Sequence, residues 1–326
     1  MEVVQPTKPF RDLDDLINGD ENGDSEGEIS FCSLGGINYS KLVGVSDEYL
    51  GRVIKTSLKT IYRMMEKAPT LHEPMRKRLL ERSNAGLGIS GLADWLYQQE
   101  MDYDGSKDSL EAVRDLSERH AYLSYKASVD LVEDRFMEAV EGIKTDWLPI
   151  DTAKNILGEE NSYDWESLRG KPRAFSVHNC IQPFESSSVF FDGTNSIYPV
   201  REKMIGKTSR SGVVVQHFPH FKEGEHTPAW DVGNLILAEY YSVIQDYFDL
   251  AISCDQYFNP NNYSEGKRPL SEAMKEFVYH FDLGNKTLYY LNTKVDQEDS
   301  QVHGIVPNNT VSETEVDFED CENCKM

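Results

Sequence analysis

Two adjacent phenols, Tyr289 and Tyr290, and two thiols, Cys321 and Cys324, are the residues whose types and spacing could do redox chemistry in this chain. A phenol can release an electron and a proton together, and two rings in contact can pass the resulting hole without either becoming charged. The stretch Thr287 to Thr293 also fits a plain β-strand, since Tyr and Thr favour strands and aromatic packing alone accounts for the pair. Neighbouring strand residues point to opposite faces, so the rings can meet only at a strand end or an irregularity. The terminal Cys-x-x-Cys reads as a redox dithiol or as half a zinc site. No second pair stands near it, and it does not open a helix in a thioredoxin-like unit. From Val295 to Cys324 there is no Lys or Arg, and so acidic a segment cannot bury enough to order itself. A coil of about 30 residues reaches roughly 30 Å, enough to carry a dithiol to a buried disulfide and back. Its acidic neighbours disfavour the thiolate. Cys32, Cys180 and Cys254 are the available targets, and each reads equally well as a buried thiol.

The elements that must position these groups come from a chain of 326 residues, 39% hydrophobic and 11% aromatic, enough for one large or two modest domains. A formal charge of −23 excludes a phosphate-backbone binder as the main role, so no nucleic-acid polymer is expected as a partner. No apolar run is long enough to span a bilayer, so no membrane is expected, and the first residues lack a signal-peptide pattern. Five cysteines without framework spacing fit a reducing cytoplasm.

Met1 to Pro9 reads as the end of a strand entering a Pro-punctuated loop, an opening expected of a chain completed by something upstream. Asn18, Asp20, Asn22 and Gly23 begin a calcium-loop pattern, but Ile29 stands where its bidentate Glu belongs, so the stretch is an acidic loop. A strand from Glu28 to Leu34, ended by Gly35 and Gly36, carries Cys32. Helical spacing runs from Glu48 to Ala68, and Ser106 to Ile143 reads as helical, bent or broken once. Gly86, Gly88 and Gly91 form G-x-G-x-x-G, yet the residues before them read as helical, so close packing at a helix entry is preferred to a dinucleotide site. A short helix begins near Tyr163, and Ala174 to Asn179 is a strand candidate. Pro183 followed by Phe184, Glu185, Ser186, Ser187 and Ser188 suits either a capped turn or the helix start of a phosphate site. Val213 to Val215 is a strand, Trp230 to Asp249 a helix, Cys254 to Tyr263 a turn, Pro269 to His280 an amphipathic helix, and Lys286 to Asn292 a strand. Helices alternating with short strands give an α/β body over residues 1–294, followed by an acidic tail over 295–326.

Several segments occur in one order: Gln5-Pro6-Thr7-Lys8-Pro9, Glu28 to Leu34, Leu148-Pro149-Ile150-Asp151-Thr152, Tyr163-Asp164-Trp165-Glu166, Pro183-Phe184-Glu185-Ser186-Ser187, Thr287-Leu288-Tyr289-Tyr290 with Asn292-Thr293, and the terminal Cys-x-x-Cys. Together they resemble the C-terminal half of the large, catalytic subunit of aerobic class I ribonucleotide reductases, over essentially the whole chain. The resemblance implies the second half of a ten-stranded α/β barrel and the radical-based reduction of ribonucleoside diphosphates. Glu2 matches the general base on the substrate 3′-hydroxyl, and Cys32 one of the two cysteines that reduce the 2′-position. Tyr289 and Tyr290 match the radical relay, with Tyr290 nearer the small subunit. Cys321 and Cys324 match the tail thiols. Pro183, Glu185, Ser186 and Ser187 match the segment that holds the substrate ribose and diphosphate.

The chain departs from the family in several ways. The thiyl cysteine, its neighbouring asparagine, the partner of Cys32 and the allosteric sites would all lie upstream of Met1. The tail cysteines are closer together than in many relatives, and Phe184 stands where a small hydroxyl residue is common. The resemblance therefore implies a split-gene product, of a kind known from large bacteriophages, acting in the host cytoplasm if viral. Its partners would be a separate N-terminal half, a metal-containing small subunit that supplies the radical, and thioredoxin or glutaredoxin as reductant. No cofactor or metal is expected on this chain itself. The competing reading is a catalytically inactive scaffold or binding remnant of the same fold.

Overall fold

The computed structural model of the chain describes residues 9–17, 27, 32–68, 79–143, 145–209 and 212–294. Glu2, Cys321 and Cys324 lie outside the described residues. In chain order the elements are α1 (Leu13–Ile17), β1 (Ser33–Asn38), α2 (Asp47–Lys67), β2 (Ala85–Ser90), α3 (Leu92–Tyr97), α4 (Lys107–Glu133), α5 (Glu185–Phe190), β3 (Met204–Ser209), β4 (Gly212–His217), α6 (Ala229–Val232), α7 (Asn234–Gln245), β5 (Gln256–Phe258), α8 (Leu270–Asp282) and β6 (Leu291–Thr293).

The long helices form where apolar residues recur at helical spacing. Leu50, Ile54, Leu58, Ile61 and Met65 make one buried stripe along α2, which packs on α4. Ser46 and Ser106 cap these two helices, each hydroxyl accepting from the amide three residues on, Tyr49 N and Ser109 N, at 3.3 Å. Helix α4 is buried over most of its length, with α7 packed against it and α8 against α7.

In front of these helices the chain lays five extended segments side by side. Strands β1 and β2 pair in parallel, from Ser33 opposite Ala85 to Asn38 opposite Ser90. Beyond β2 runs an irregular third segment, to which Ala85 N donates at Val177 O (3.0 Å) and Leu87 N at His178 O (2.9 Å). A fourth segment joins it through Leu250 N to Asn179 O (3.1 Å), Ser253 N to Ile181 O (2.9 Å) and a parallel bridge between Ile181 and Ile252. The fourth segment continues into β5, which pairs in parallel with β6. Parallel neighbours need long crossovers, and helices supply them here. The array is open: among the described residues no strand pairs with the outer edge of β1 or β6, and the closed ten-stranded barrel is not formed. Apart from the array, β3 and β4 form an antiparallel hairpin.

Several expectations are corrected. Gly35 and Gly36 do not end the first strand but lie within it, because the Phe184 ring packs on Gly36 where a Cβ would stand. Gly86 and Gly88 lie inside β2 rather than at a helix entry, and only Gly91 is at the start of a helix, with φ of +74°. The Trp230 to Asp249 helix is broken in two at Gly233, with φ of +87°. The helix expected near Tyr163 is a single 3₁₀ turn, Trp165–Leu168, and Pro149–Thr152 forms another. Strand β3 arises where no element was expected, and β5 where a turn was. For β5 its neighbour β6 supplies the pairing that three residues could not specify alone.

Two glycines should respond oppositely to alanine. A Cβ on Gly88 would stand 2.7 Å from the Cys180 carbonyl oxygen, a backbone atom fixed by the array. Gly88→Ala is therefore expected to destabilise the fold by about 1–3 kcal/mol. On the helix α2 the nearest atom to a Cβ at Gly51 is Leu123 Cδ2 at 3.8 Å. Gly51→Ala should stabilise by about 0.5–1 kcal/mol. Urea unfolding of the two variants checks both signs.

Candidate active site

Cys32 stands immediately before β1 and is half-buried, packed against Val177, Cys180 and Leu250. Its Sγ lies 2.7 Å, and that of Cys180 2.5 Å, from the position a Cβ on Gly86 would take. The glycine in β2 thus clears room for two thiols reaching in from the flanking segments. Cys180 donates to Gln182 Oε1 (3.3 Å), and Gln182 Nε2 donates to Gly35 O (2.7 Å). These bonds tie the third segment back to β1. Cys254 is fully buried, and burial pushes its thiol well above the usual range, which suits a packing role.

The third segment leads into the Pro183 to Ser187 stretch. Phe184 is buried and its N–H donates to Asn195 Oδ1 (2.8 Å), while Asn195 Nδ2 donates to Glu185 Oε1 (2.8 Å). Glu185, Ser186 and Ser187 open α5 with their side chains exposed, and no side chain caps that helix. Asn195 therefore fixes the turn from below and leaves the two hydroxyls turned outward.

The tyrosines meet. The Tyr289 and Tyr290 ring centroids are 3.9 Å apart, with the planes inclined at 44°. Both residues precede the first regular residue of β6, the strand end that contact between neighbours requires. The hydrogen bonds show how: Tyr289 N donates to Cys254 O (2.8 Å), and Gln256 N donates to Tyr290 O (2.7 Å). In a regular parallel ladder one residue would make both of these bonds. Here two tyrosines together face Asp255, which is the arrangement of a β-bulge. The displaced Tyr290 N–H is turned to Asp255 Oδ1 (3.4 Å), and Asn292 Nδ2 donates to Oδ2 (2.9 Å). Tyr290 is 54% exposed and Tyr289 is half-buried.

Asp255 is the residue that sequence reasoning missed. It is buried at a small cavity of about 30 Å³ lined also by Arg201, Asn195, Tyr198, Gln216 and Tyr257. Burial raises its carboxyl pKa to about 6, against the opposing pull of Asn292, the Tyr290 amide and Arg201. The negative charge of Glu185 also pushes it up. Cys32 and Tyr289 stand at opposite edges of the array: Cys32 packs with Cys180, and Tyr289 with Tyr290. The only sequence signal for Asp255 was a lone acid in a stretch read as a turn.

Behind the wall lies a second missed carboxylate. Asp249 accepts from His178 N (2.8 Å), Asn179 N (2.9 Å) and Tyr125 Oη (3.0 Å), with His178 Nδ1 at 3.3 Å. Burial alone would raise this carboxyl, but the His178 contact and the amide donors outweigh it and hold it below its usual range. Burial lowers the pKa of His178, which stays neutral.

Comparison with known proteins places this geometry. The barrel-domain model of ribonucleotide reductases matches residues 1–227, and the chain belongs to that family. It is 29% identical over 320 residues to the ribonucleoside-diphosphate reductase subunit alpha of Haemophilus influenzae, covering 92% of this chain and 40% of that protein. It is 31% identical over 249 residues to subunit alpha of reductase 1 of Salmonella typhimurium, covering 70% and 32%. Subunit alpha of Enterobacteria phage T4 is 23% identical over 286 residues, covering 82% and 37%. The chain thus spans two fifths or less of the length of these relatives. No helix among the described residues is long and apolar enough to cross a membrane.

The raised pKa of Asp255 has a sign that can be measured. The unfolded chain loses this proton near 3.8 and the folded chain near 6, so the group costs stability progressively between those values and fully above them. Asp255→Asn cannot ionise. Relative to the parent it should gain about 2–3 kcal/mol on going from pH 4 to pH 7. Urea unfolding at both pH values reads the difference, and an unchanged gap would show that Asp255 ionises freely in the fold.

Proposed function

We propose that the chain is the C-terminal part of a ribonucleotide reductase catalytic subunit and reduces ribonucleoside diphosphates to 2′-deoxyribonucleoside diphosphates. The observation that carries this reading is the 3.9 Å contact of two tyrosine rings at a bulge, in a chain of the reductase barrel family. Contact between the rings allows a hole to pass from Tyr290, the exposed member, to Tyr289 and on to a sulfur at the substrate. Water exclusion in the barrel interior protects the radical.

Each residue then has one task. Glu2 takes the 3′-hydroxyl proton once an upstream thiyl has removed the 3′ hydrogen atom. The 2′-hydroxyl leaves as water, and Cys32 with an upstream cysteine supplies two electrons and two protons, becoming a disulfide. Cys321 and Cys324 reduce that disulfide by exchange and are reduced in turn by thioredoxin or glutaredoxin. Pro183, Glu185, Ser186 and Ser187 hold the ribose and diphosphate, the exposed hydroxyls of α5 facing the nucleotide. The edges of β1 and β6, unpaired among the described residues, support completion of the array by further strands, which this reading assigns to an N-terminal half. The exposed Leu270, Met274, Phe277 and Val278 on α8 support docking of the small, radical-bearing subunit's peptide there.

The chain alone should show no reductase activity and should gain it on adding the N-terminal half, the small subunit and a dithiol. Tyr289→Phe or Tyr290→Phe should abolish turnover with assembly intact by co-purification; full activity in either variant defeats the relay. Cys321→Ser or Cys324→Ser should allow about one turnover with thioredoxin but sustained cycling with a small dithiol. Equal loss under both reductants contradicts a shuttling tail.

A further inference from the structure

We infer that Asp255 is the positioning residue of the tyrosine pair: its carboxylate, gripping the Tyr290 amide and the Asn292 side chain, keeps the bulge in place and so keeps the two rings in contact. The functional consequence rests on the reductase reading; the geometric claim does not.

A bulge leaves one residue's backbone donor without its ladder partner, and a buried donor left so costs about 1–3 kcal/mol. At this bulge the displaced donor is Tyr290 N, since the Cys254 carbonyl that a regular ladder would give it is taken by Tyr289 N. Asp255 Oδ1 meets that donor at 3.4 Å. The other oxygen takes Asn292 Nδ2 at 2.9 Å, two residues further along β6, so one carboxylate spans the irregular and the regular part of the same strand. Asn292 Nδ2 also lies 3.4 Å from Gln256 O, which aligns it with the β5 backbone. Without the carboxylate nothing in this set favours two residues opposite one. The regular register, in which Tyr290 N would bond Cys254 O, points successive side chains to opposite faces and parts the rings.

The grip is anchored from behind. Tyr241 Oη donates to the Asp255 carbonyl (2.8 Å) and Tyr198 Oη to the Ser253 carbonyl (2.9 Å), so α7 and the loop before β3 hold the segment that carries the carboxylate. The titratable and charged groups that act on it are Arg201, which lines the same cavity, Glu185, Tyr198, Tyr241 and Tyr257, and Cys254 next in sequence. Arg201 is the cation among these, so a proton gained on acidification goes to a carboxyl rather than to a neighbouring imidazole. Protonation takes away one acceptor site at the bulge.

The test uses the full chain and the near-ultraviolet circular dichroism of coupled tyrosines. The difference spectrum between the chain and its Tyr289→Phe variant isolates the pair's coupling. In an Asp255→Ala background the same difference is expected to fall at least about fivefold while the far-ultraviolet spectrum is retained, since the ring contact depends on the bulge. Asn292→Ala, which keeps the carboxylate and removes one of its donors, should lower the difference about twofold and serves if Asp255→Ala does not fold. An undiminished difference in either background overturns the inference. In the assembled enzyme Asp255→Asn should lower kcat with KM unchanged and flatten the rise of kcat centred near pH 6. A parallel fall in KM and kcat at every pH overturns the positioning role. If the assembled parent enzyme is itself inactive, the reductase reading fails, and the spectra still decide the role of Asp255.

Discussion

A parallel array has to be held from behind, because its strands arrive from distant parts of the chain and no hairpin fixes their register. In this protein a buried carboxylate does that holding. Asp249 takes the backbone amides of His178 and Asn179 and the phenol of Tyr125, and so binds the third segment, the start of the fourth and helix α4 at one point. An ionised carboxylate in an apolar interior is tolerated only when its oxygens are filled by donors. The third segment is too irregular to be held by ladder bonds alone, and it is the one that carries Cys180, Gln182 and the Phe184 turn. If it moved, Cys180 would leave the gap over Gly86 and the α5 turn would lose its seat. The wall is therefore as much a consequence of Asp249 as of strand pairing.

At the far edge the problem is reversed. The array's regularity there would separate the two tyrosines, and their contact requires a local fault in the ladder. A bulge supplies the fault, and a second buried carboxylate, Asp255, meets the donor it displaces. The two acids differ in electrostatic state because their partners differ. Asp249 is surrounded by donors and is held below the usual range; Asp255 has one good donor and one long one, so burial prevails and its pKa rises to about 6. One secures a rigid part of the wall, the other a place where a small shift changes which rings touch.

The long helices were legible because their apolar residues recur at helical spacing, while their serine caps, Ser46 and Ser106, emerge only in the structure. The tyrosine pair was legible as an anomaly, with the demand for an irregular strand end following from strand geometry alone. The glycines misled for a definite reason. Gly36, Gly86 and Gly88 read as strand breakers or as a loop fingerprint, but their missing side chains are filled by Phe184, Cys180 and Cys32 arriving from other segments. Nothing local announces that. A strand of three residues such as β5 carries no periodicity to detect and exists because a neighbour is present, whereas the strand expected over Lys286 to Asn292 is regular only from Leu291. Asp249 and Asp255 looked like two acids among many in a chain with a formal charge of −23, and burial, the property that distinguishes them, is not written in residue type.

Phe184 shows how far family likeness carries and where the chain's own physics takes over. The family resemblance puts a small hydroxyl residue at this position. Here an aromatic ring is buried against β1 and β2, filling the faces of Gly36 and Gly88, with its own N–H held by Asn195. The backbone donor at Phe184 is committed to Asn195, and the exposed hydroxyls next along are those of Ser186 and Ser187, while the ring stiffens the floor beneath them. The two glycines and the phenylalanine form one unit: a side chain on Gly36 would evict the ring, one on Gly88 would press on it and on the Cys180 carbonyl, and a smaller residue at 184 would leave a void over both strands. The substitution is therefore coupled to the glycines of two other segments, and it has to be judged with them rather than as a change at one position.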